Sequence, residues 1–157
     1  RQRGVLEPGW LRVSRSMRRS AGRFTITVDT AFEQVIDACA GPSRPGGWID
    51  ADIRAAYLEL HRLGWAHSVE TRDGDGLLVG GLYGLGIGRL FAGESMFHHA
   101  RDASKVALMG LVDRLGPSIL VDVQWSTPHL ASLGVVEWPR PVYLDALPDF
   151  VDAPSPW

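Results

Sequence analysis

Cysteine is almost absent from this chain, with Cys39 the only one in 157 residues. That excludes an internal disulfide and a thiolate metal cluster, and it fits a reducing, intracellular setting. Long apolar runs are missing as well. None approaches the roughly 18 residues that would span a bilayer, and the first residues carry no secretory pattern. The expectation is a cytoplasmic chain with no membrane contact. It starts at Arg1 rather than Met, so further residues are expected upstream in the natural protein. Internal repeats and low-complexity segments are absent too.

What is present can build a core. Apolar residues make up 45% of the chain and charged residues 22%, which suits one folded domain. The net charge of −2 conceals an asymmetry. Residues 1–23 carry seven arginines (Arg1, Arg3, Arg12, Arg15, Arg18, Arg19, Arg23) against Glu7 alone, a balance of +6 that leaves −8 for the remainder. Such a segment reads either as a localised polyanion contact or as a solvated basic tail.

Periodicity sets the order of elements. Residues 1–23 read as an irregular arm, with Pro8-Gly9 a turn and SRSMRRS a basic loop. FTITVD (24–29) alternates as a strand. Thr30 is then placed to cap the helix AFEQVIDACA, and GPSRPGG (41–47) is a loop. Asp50 or Asp52 opens the helix IRAAYLELHRL, which Gly64 ends. AHSVETR, LLVGGLYGLGI and RLFAGESMF form an antiparallel three-strand meander, with hairpin-turn chemistry in DGDG (73–76). Asp102 is expected to cap the helix SKVALMGLVDRL. SILVDVQ is a strand covered on both faces, TPHLASLG a short helix or turn, VVEWPRP a strand and VYLDAL a last helical turn. The whole is a mixed α/β order of acyltransferase type.

Several residues could carry chemistry. Gly80, Gly81, Gly84, Gly86, Gly88 and Gly93 crowd two strands, which fits close ligand approach or tight strand packing. No G-K-[ST] follows them, and they lack the spacing of a dinucleotide fingerprint. Nor is there a Q/R-x-x-G-x-G/A loop of the kind coenzyme A acetyltransferases use. Glu94 lies in an apolar stretch, so it is either paired within the domain or a receptor for a cation. Asp122 and Gln124, two apart on one strand, should share a face, as an internal network or as part of a site. The histidines are scattered, and adjacent His98 and His99 make a poor chelate, so no metal is expected. Ser95 and Ser104 have no histidine–acid partners in view, and Cys39 reads as helix packing.

Taken together, SRSMRR, FTITVDTAFEQVIDACA, LHRLGWAHSVE, LVGGLYGLGIGRLFAGESMF, ASKVAL, VDVQ and HLASLG resemble the leucyl/phenylalanyl-tRNA–protein transferases, in order from Arg3 to Leu147. The resemblance implies a GNAT-like α/β (α+β) fold, a mixed, largely antiparallel sheet flanked by helices. It implies an aminoacyltransferase that moves Leu, Phe or Met from aminoacyl-tRNA to the α-amine of proteins beginning with Arg or Lys, marking them for N-end rule degradation. No cofactor is implied beyond the aminoacyl-tRNA donor. Glu94 would receive the basic first residue of the acceptor, Gln124 would assist there, and Asp122 would position Gln124 and the amine and help its proton leave. Leu82, Phe91, Met96, Leu111, Leu115 and Val121 would form the donor amino-acid pocket; on residue type alone each is equally plain core. Arg12, Arg15, Arg18, Arg19 and Arg23 would meet tRNA phosphates.

The implied organisation is a basic arm at 1–23, remnant of the family's N-terminal module, a catalytic domain at 24–150 and a C-terminal tail at 151–157, acting as a monomer. The family's upstream tryptophan-rich W-x-SPDPR-type segment is missing before Arg3, and Arg72 stands where relatives often carry an aromatic. Two rivals remain: a truncated or degenerate relative that binds tRNA without transfer, and a GNAT-like transferase using coenzyme A, against which the absent phosphate loop argues.

Overall fold

A computed structural model describes residues 1–42 and 47–157. Seven strands form one mixed sheet in the order β2-β3-β4-β5-β6-β1-β7. In chain order these are β1 (Gln2–Leu6), β2 (Thr25–Val28), β3 (Ala66–Arg72), β4 (Leu78–Ile87), β5 (Leu90–His98), β6 (Leu120–Gln124) and β7 (Val136–Pro139). The helices are α1 (Arg15–Ala21), α2 (Phe32–Cys39), α3 (Ala51–Arg62), α4 (Ala103–Leu115), α5 (Pro128–Ser132) and α6 (Arg140–Val151). Every neighbouring pair is antiparallel except β5 and β6. A parallel pair needs a crossover, and α4 supplies it.

Side-chain alternation divides the core between the faces. Leu82, Phe91 and Val121 pack with Ala107, Leu108 and Leu111 of α4 and Met17 of α1. On the other face Tyr83 and Phe97 pack with Phe32, Val35 and Ile36 of α2, and Leu90, Leu120 and Val5 pack with Tyr143 of α6. Leu120 and Val121 thus go to opposite cores, as expected for a strand covered on both faces.

The meander and its DGDG turn lie where the alternation placed them. Five expectations are corrected. Residues 1–23 are not an irregular arm: β1 is inserted between β6 and β7, so the chain start is interior to the sheet. SRSMRRS is helical, because the Ser14 hydroxyl accepts from the Met17 amide and the Met17 sulfur accepts from the Ser14 amide, capping both exposed donors. Thr30 does not cap α2; its hydroxyl donates to Glu70 instead. Asp102 precedes α4 at φ +64 without a capping bond, its carboxylate accepting from Ser16 and Ser20 of α1. The final turn proves to be the twelve-residue α6. Most of the loop read at 41–47 lies outside the described residues.

Candidate functional site

The site lies where β5 and β6 part. They pair through Leu90–Leu120, Phe91–Val121 and Ala92–Asp122, and no further. Immediately beyond, the β4 partners of β5 jump from Gly93, opposite Gly84, to Ser95, opposite Tyr83. Glu94 is the extra residue of this β-bulge, a device that re-aims a side chain and reverses the alternation. Phe91 before it and Met96 after it consequently face α4 together, despite their odd spacing.

The parted strands open a cavity of about 270 Å³. Its apolar walls are Leu82, Phe91, Met96, Leu108, Leu111 and Val121, with Val123 and Leu130 beside them. Five of the six residues read as the donor pocket therefore line one cavity. Leu115 does not: it is buried in the core of the same helix, clear of the lining. Leu108 was missed, although it stands three residues from Leu111 on the same apolar stripe of α4. A cavity of roughly 150 Å³ with such walls accommodates benzene, so this one has room for a leucyl or benzyl side chain.

Two polar residues read from the sequence, Glu94 and Gln124, are on the same wall. Burial is the largest influence on Glu94 and raises its pKa; the Tyr57 hydrogen bond opposes it, Asp122 nearby adds to the rise, and Arg3 offsets part of it. Tyr57, on α3, is correspondingly pushed up by burial and then by the Glu94 charge, so it stays a donor to that carboxylate. Nothing in IRAAYLELHRL marked Tyr57 out, save that a hydroxyl interrupts a helix's apolar stripe. His129, also on the wall, is held below its ordinary value, first by burial and then by Lys105 and His98.

The β1 partners of β6 jump from Asp122, opposite Val5, to Gln124, opposite Gly4. Val123 is therefore the extra residue of a second bulge, which breaks the expected alternation just before Gln124 ends β6 at φ +66. Asp122 and Gln124 do not share a face. Asp122 packs against α6 and is only 1% exposed, whereas Gln124 turns to the cavity. The Gln124 side-chain amide donates to the Gly93 carbonyl at 2.9 Å, standing in for the ladder bond lost where the strands separate. Its carbonyl oxygen is left to accept.

Asp122 is saturated. Arg3 Nε donates to both carboxylate oxygens at 2.8 and 2.9 Å, and Arg3 Nη2 donates to Oδ2 at 2.7 Å. Tyr143 Oη adds a 2.6 Å bond and the Gln124 backbone amide one of 2.8 Å. Neither Arg3 nor Tyr143 was singled out as a site residue, because their partner lies over a hundred residues away from one and on a different element from the other.

The glycine cluster is mainly packing. A side chain at Gly80 would strike Ala103 of α4, and one at Gly84 would strike the Ala92 carbonyl and the Phe91 ring. Gly93 alone among the six meets only ordinary contacts, and it lines the cavity. Arg15, Arg18 and Arg19 project from the exposed side of α1, with Arg12 and Arg23 exposed at either end, and among the described residues none of the five is in an ion pair. Among the described residues no three His, Cys, Asp or Glu side chains converge on a metal site. No helix there is long and apolar enough to cross a membrane.

A family model described as leucyl/phenylalanyl-tRNA protein transferase matches residues 5–148. The leucyl/phenylalanyl-tRNA--protein transferase of Aromatoleum aromaticum is 52% identical over 160 residues, covering 97% of this chain and 67% of that protein. That of Novosphingobium aromaticivorans is 51% identical, covering 94% and 58%. The chain thus spans about two thirds or less of these relatives' lengths. Among solved structures, a functionally unknown conserved protein from Staphylococcus epidermidis superposes with a TM-score of 0.52 at 12% identity, over 87% of this chain and 57% of that one. L-PGS from Bacillus licheniformis gives 0.50 at 11%, over 96% and 64%. At such identities these two speak to the fold alone.

Proposed function

This chain belongs to the leucyl/phenylalanyl-tRNA–protein transferase family of aminoacyltransferases, and we propose that it moves Leu, Phe or Met from aminoacyl-tRNA to the α-amine of a protein beginning with Arg or Lys. The observation that carries this reading is the apolar cavity with one carboxylate, Glu94, and one amide, Gln124, on its wall. An apolar cavity suits the donor side chain, and adaptable Met96 suits both branched and aromatic ones. A half-buried carboxylate suits the acceptor's guanidinium or ammonium, since a desolvated charge pair rejects neutral side chains.

The chemistry asked of the protein is modest. The aminoacyl ester is already activated, and an α-amine of pKa about 8 is substantially neutral near pH 7–8. Its nitrogen adds to the ester carbonyl, and the C–N bond forms as the C–O bond to the terminal ribose breaks. The ribose oxygen leaves as the hydroxyl, taking up the proton that the amine gives up. Gln124, whose amide nitrogen is engaged by Gly93, turns its carbonyl oxygen to an amine N–H and so aligns the lone pair. Asp122 takes no proton on this reading. Its oxygens are filled by Arg3, Tyr143 and the Gln124 amide, and it holds Gln124 in place. The arginines on and beside α1 meet tRNA phosphates, a contact that weakens as salt rises.

The finer fold assignment, GNAT-like, is supported by the seven-stranded mixed sheet with its one parallel pair beside the cavity. This reading has the protein act in the cytoplasm as a monomer, without a cofactor, on aminoacyl-tRNA and proteins beginning with Arg or Lys. The test uses labelled Leu-tRNA with two peptides that differ in a free or acetylated N-terminal Arg. Label should pass to the free-amine peptide alone and be lost in Glu94→Ala. No transfer to either peptide, with tRNA still bound at low salt, would overturn the reading.

A further inference from the structure

We propose that Arg3 and Tyr143 are positioning residues that clamp Asp122 so that Gln124 presents its carbonyl oxygen to the acceptor amine. The inference rests on the transfer reaction above. It begins from Gln124, one of three residues other than glycine with positive φ among the described residues. The left-handed region disfavours an L side chain, so something must hold it there. Two bonds do: its backbone amide to Asp122 Oδ1 at 2.8 Å, and its side-chain amide to the Gly93 carbonyl at 2.9 Å. The first is only as rigid as the Asp122 carboxylate.

That carboxylate could rotate about its last bond if its other donors were lost. Arg3, from β1, fixes the plane of the carboxylate by bonding both oxygens. Tyr143, from α6, approaches Oδ2 from its own side at 2.6 Å, and the Arg3 guanidinium lies 5.4 Å from the centre of the Tyr143 ring. Burial and then the Asp122 bond push the Tyr143 hydroxyl up to about 12, so it remains a donor throughout the working pH range. Two segments some 140 residues apart in sequence thus meet on one carboxylate, one residue away from both the cavity-lining Val121 and Val123. Neither Arg3 nor Tyr143 lines the cavity. Their influence on the reaction passes through Asp122 and Gln124.

Tyr143→Phe is the informative variant, because it deletes one hydrogen bond and keeps the ring. It should lower kcat roughly tenfold while leaving both KM values within about twofold, the pattern of an interaction that matters in the transition state. Repeated in a Gln124→Ala background, the same change should have almost no further effect, since the residue it positions is gone. An equal loss in both backgrounds, or no loss in either, would overturn the proposal. A readout independent of activity is the pair of Gln124 side-chain amide protons in a ¹H–¹⁵N spectrum, assigned by their disappearance in Gln124→Ala. They should be shifted and protected in the unsubstituted protein and move towards free-glutamine values in both Tyr143→Phe and Arg3→Lys. Unmoved signals would overturn the clamp even if transfer activity were absent, and absent transfer with signals that move would instead count against the proposed function alone.

Discussion

Glu94 and Asp122 sit at the same junction of adjacent strands and could hardly be in more different circumstances. Asp122 is 1% exposed yet accepts from Arg3, Tyr143 and a backbone amide. Glu94 is half-buried, its hydrogen bond with Tyr57 is outweighed by burial, and its pKa is raised. A carboxylate whose oxygens are all occupied has nothing left for a substrate and serves as a fixture. One that is desolvated and under-compensated is improved by an incoming cation. The difference between the two follows from backbone geometry. Asp122 stays in the ladder, opposite Val5 of β1 and Ala92 of β5, and meets Tyr143 of α6, whereas the bulge on β5 turns Glu94 out of the ladder.

Breaking the saturated side should have the largest effect. Asp122→Ala leaves the buried Tyr143 hydroxyl without its acceptor and the Arg3 guanidinium, whose side chain is 36% exposed, without its partner, a loss of about 1–3 kcal/mol. Urea denaturation at neutral pH would measure it, with transfer activity lost in parallel. A loss under about 1 kcal/mol would mean that Asp122 is not the fixture described here.

The same substitution logic gives a small effect of opposite sign at Glu94. A carboxyl with a raised folded-state pKa contributes stability below its unfolded pKa and loses it as pH rises through the folded value. At neutral pH, therefore, the ionised Glu94 is a cost that Glu94→Gln removes. The variant should melt a few degrees higher at most at pH 7.5, with the gap closing in acid. A lower melting temperature at pH 7.5 would show that Glu94 is already satisfied within the domain.

This contrast also marks what could be read from the sequence. The meander was legible because its alternation is regular and DGDG is turn chemistry. Helices α2, α3 and α4 were legible from apolar spacing. The cavity wall was largely legible through GESMF and the neighbouring strand. Strand β1 was not, since QRGVL is short and becomes a strand by pairing on both sides with segments over a hundred residues away. The capping of α1 was hidden because Met17, rather than Glu or Gln, closes the box. Asp122 and Gln124 were assigned one face by the period of two, which fails at the bulge that Val123 makes, just before the left-handed residue that ends the strand. Leu115 shared the chemistry of the cavity residues but lies beyond the reach of the opening.

The most direct measurement of the central claim compares peptides beginning with Arg and with citrulline, which has nearly the same shape without the charge. The ratio of their kcat/KM values would be taken for the unsubstituted protein and for Glu94→Gln, using one labelled donor. The account predicts a strong preference for Arg that weakens as pH falls and Glu94 takes up a proton, and a ratio near one in Glu94→Gln. A preference for Arg that survives intact in Glu94→Gln would place the acceptor's charge elsewhere and contradict the account.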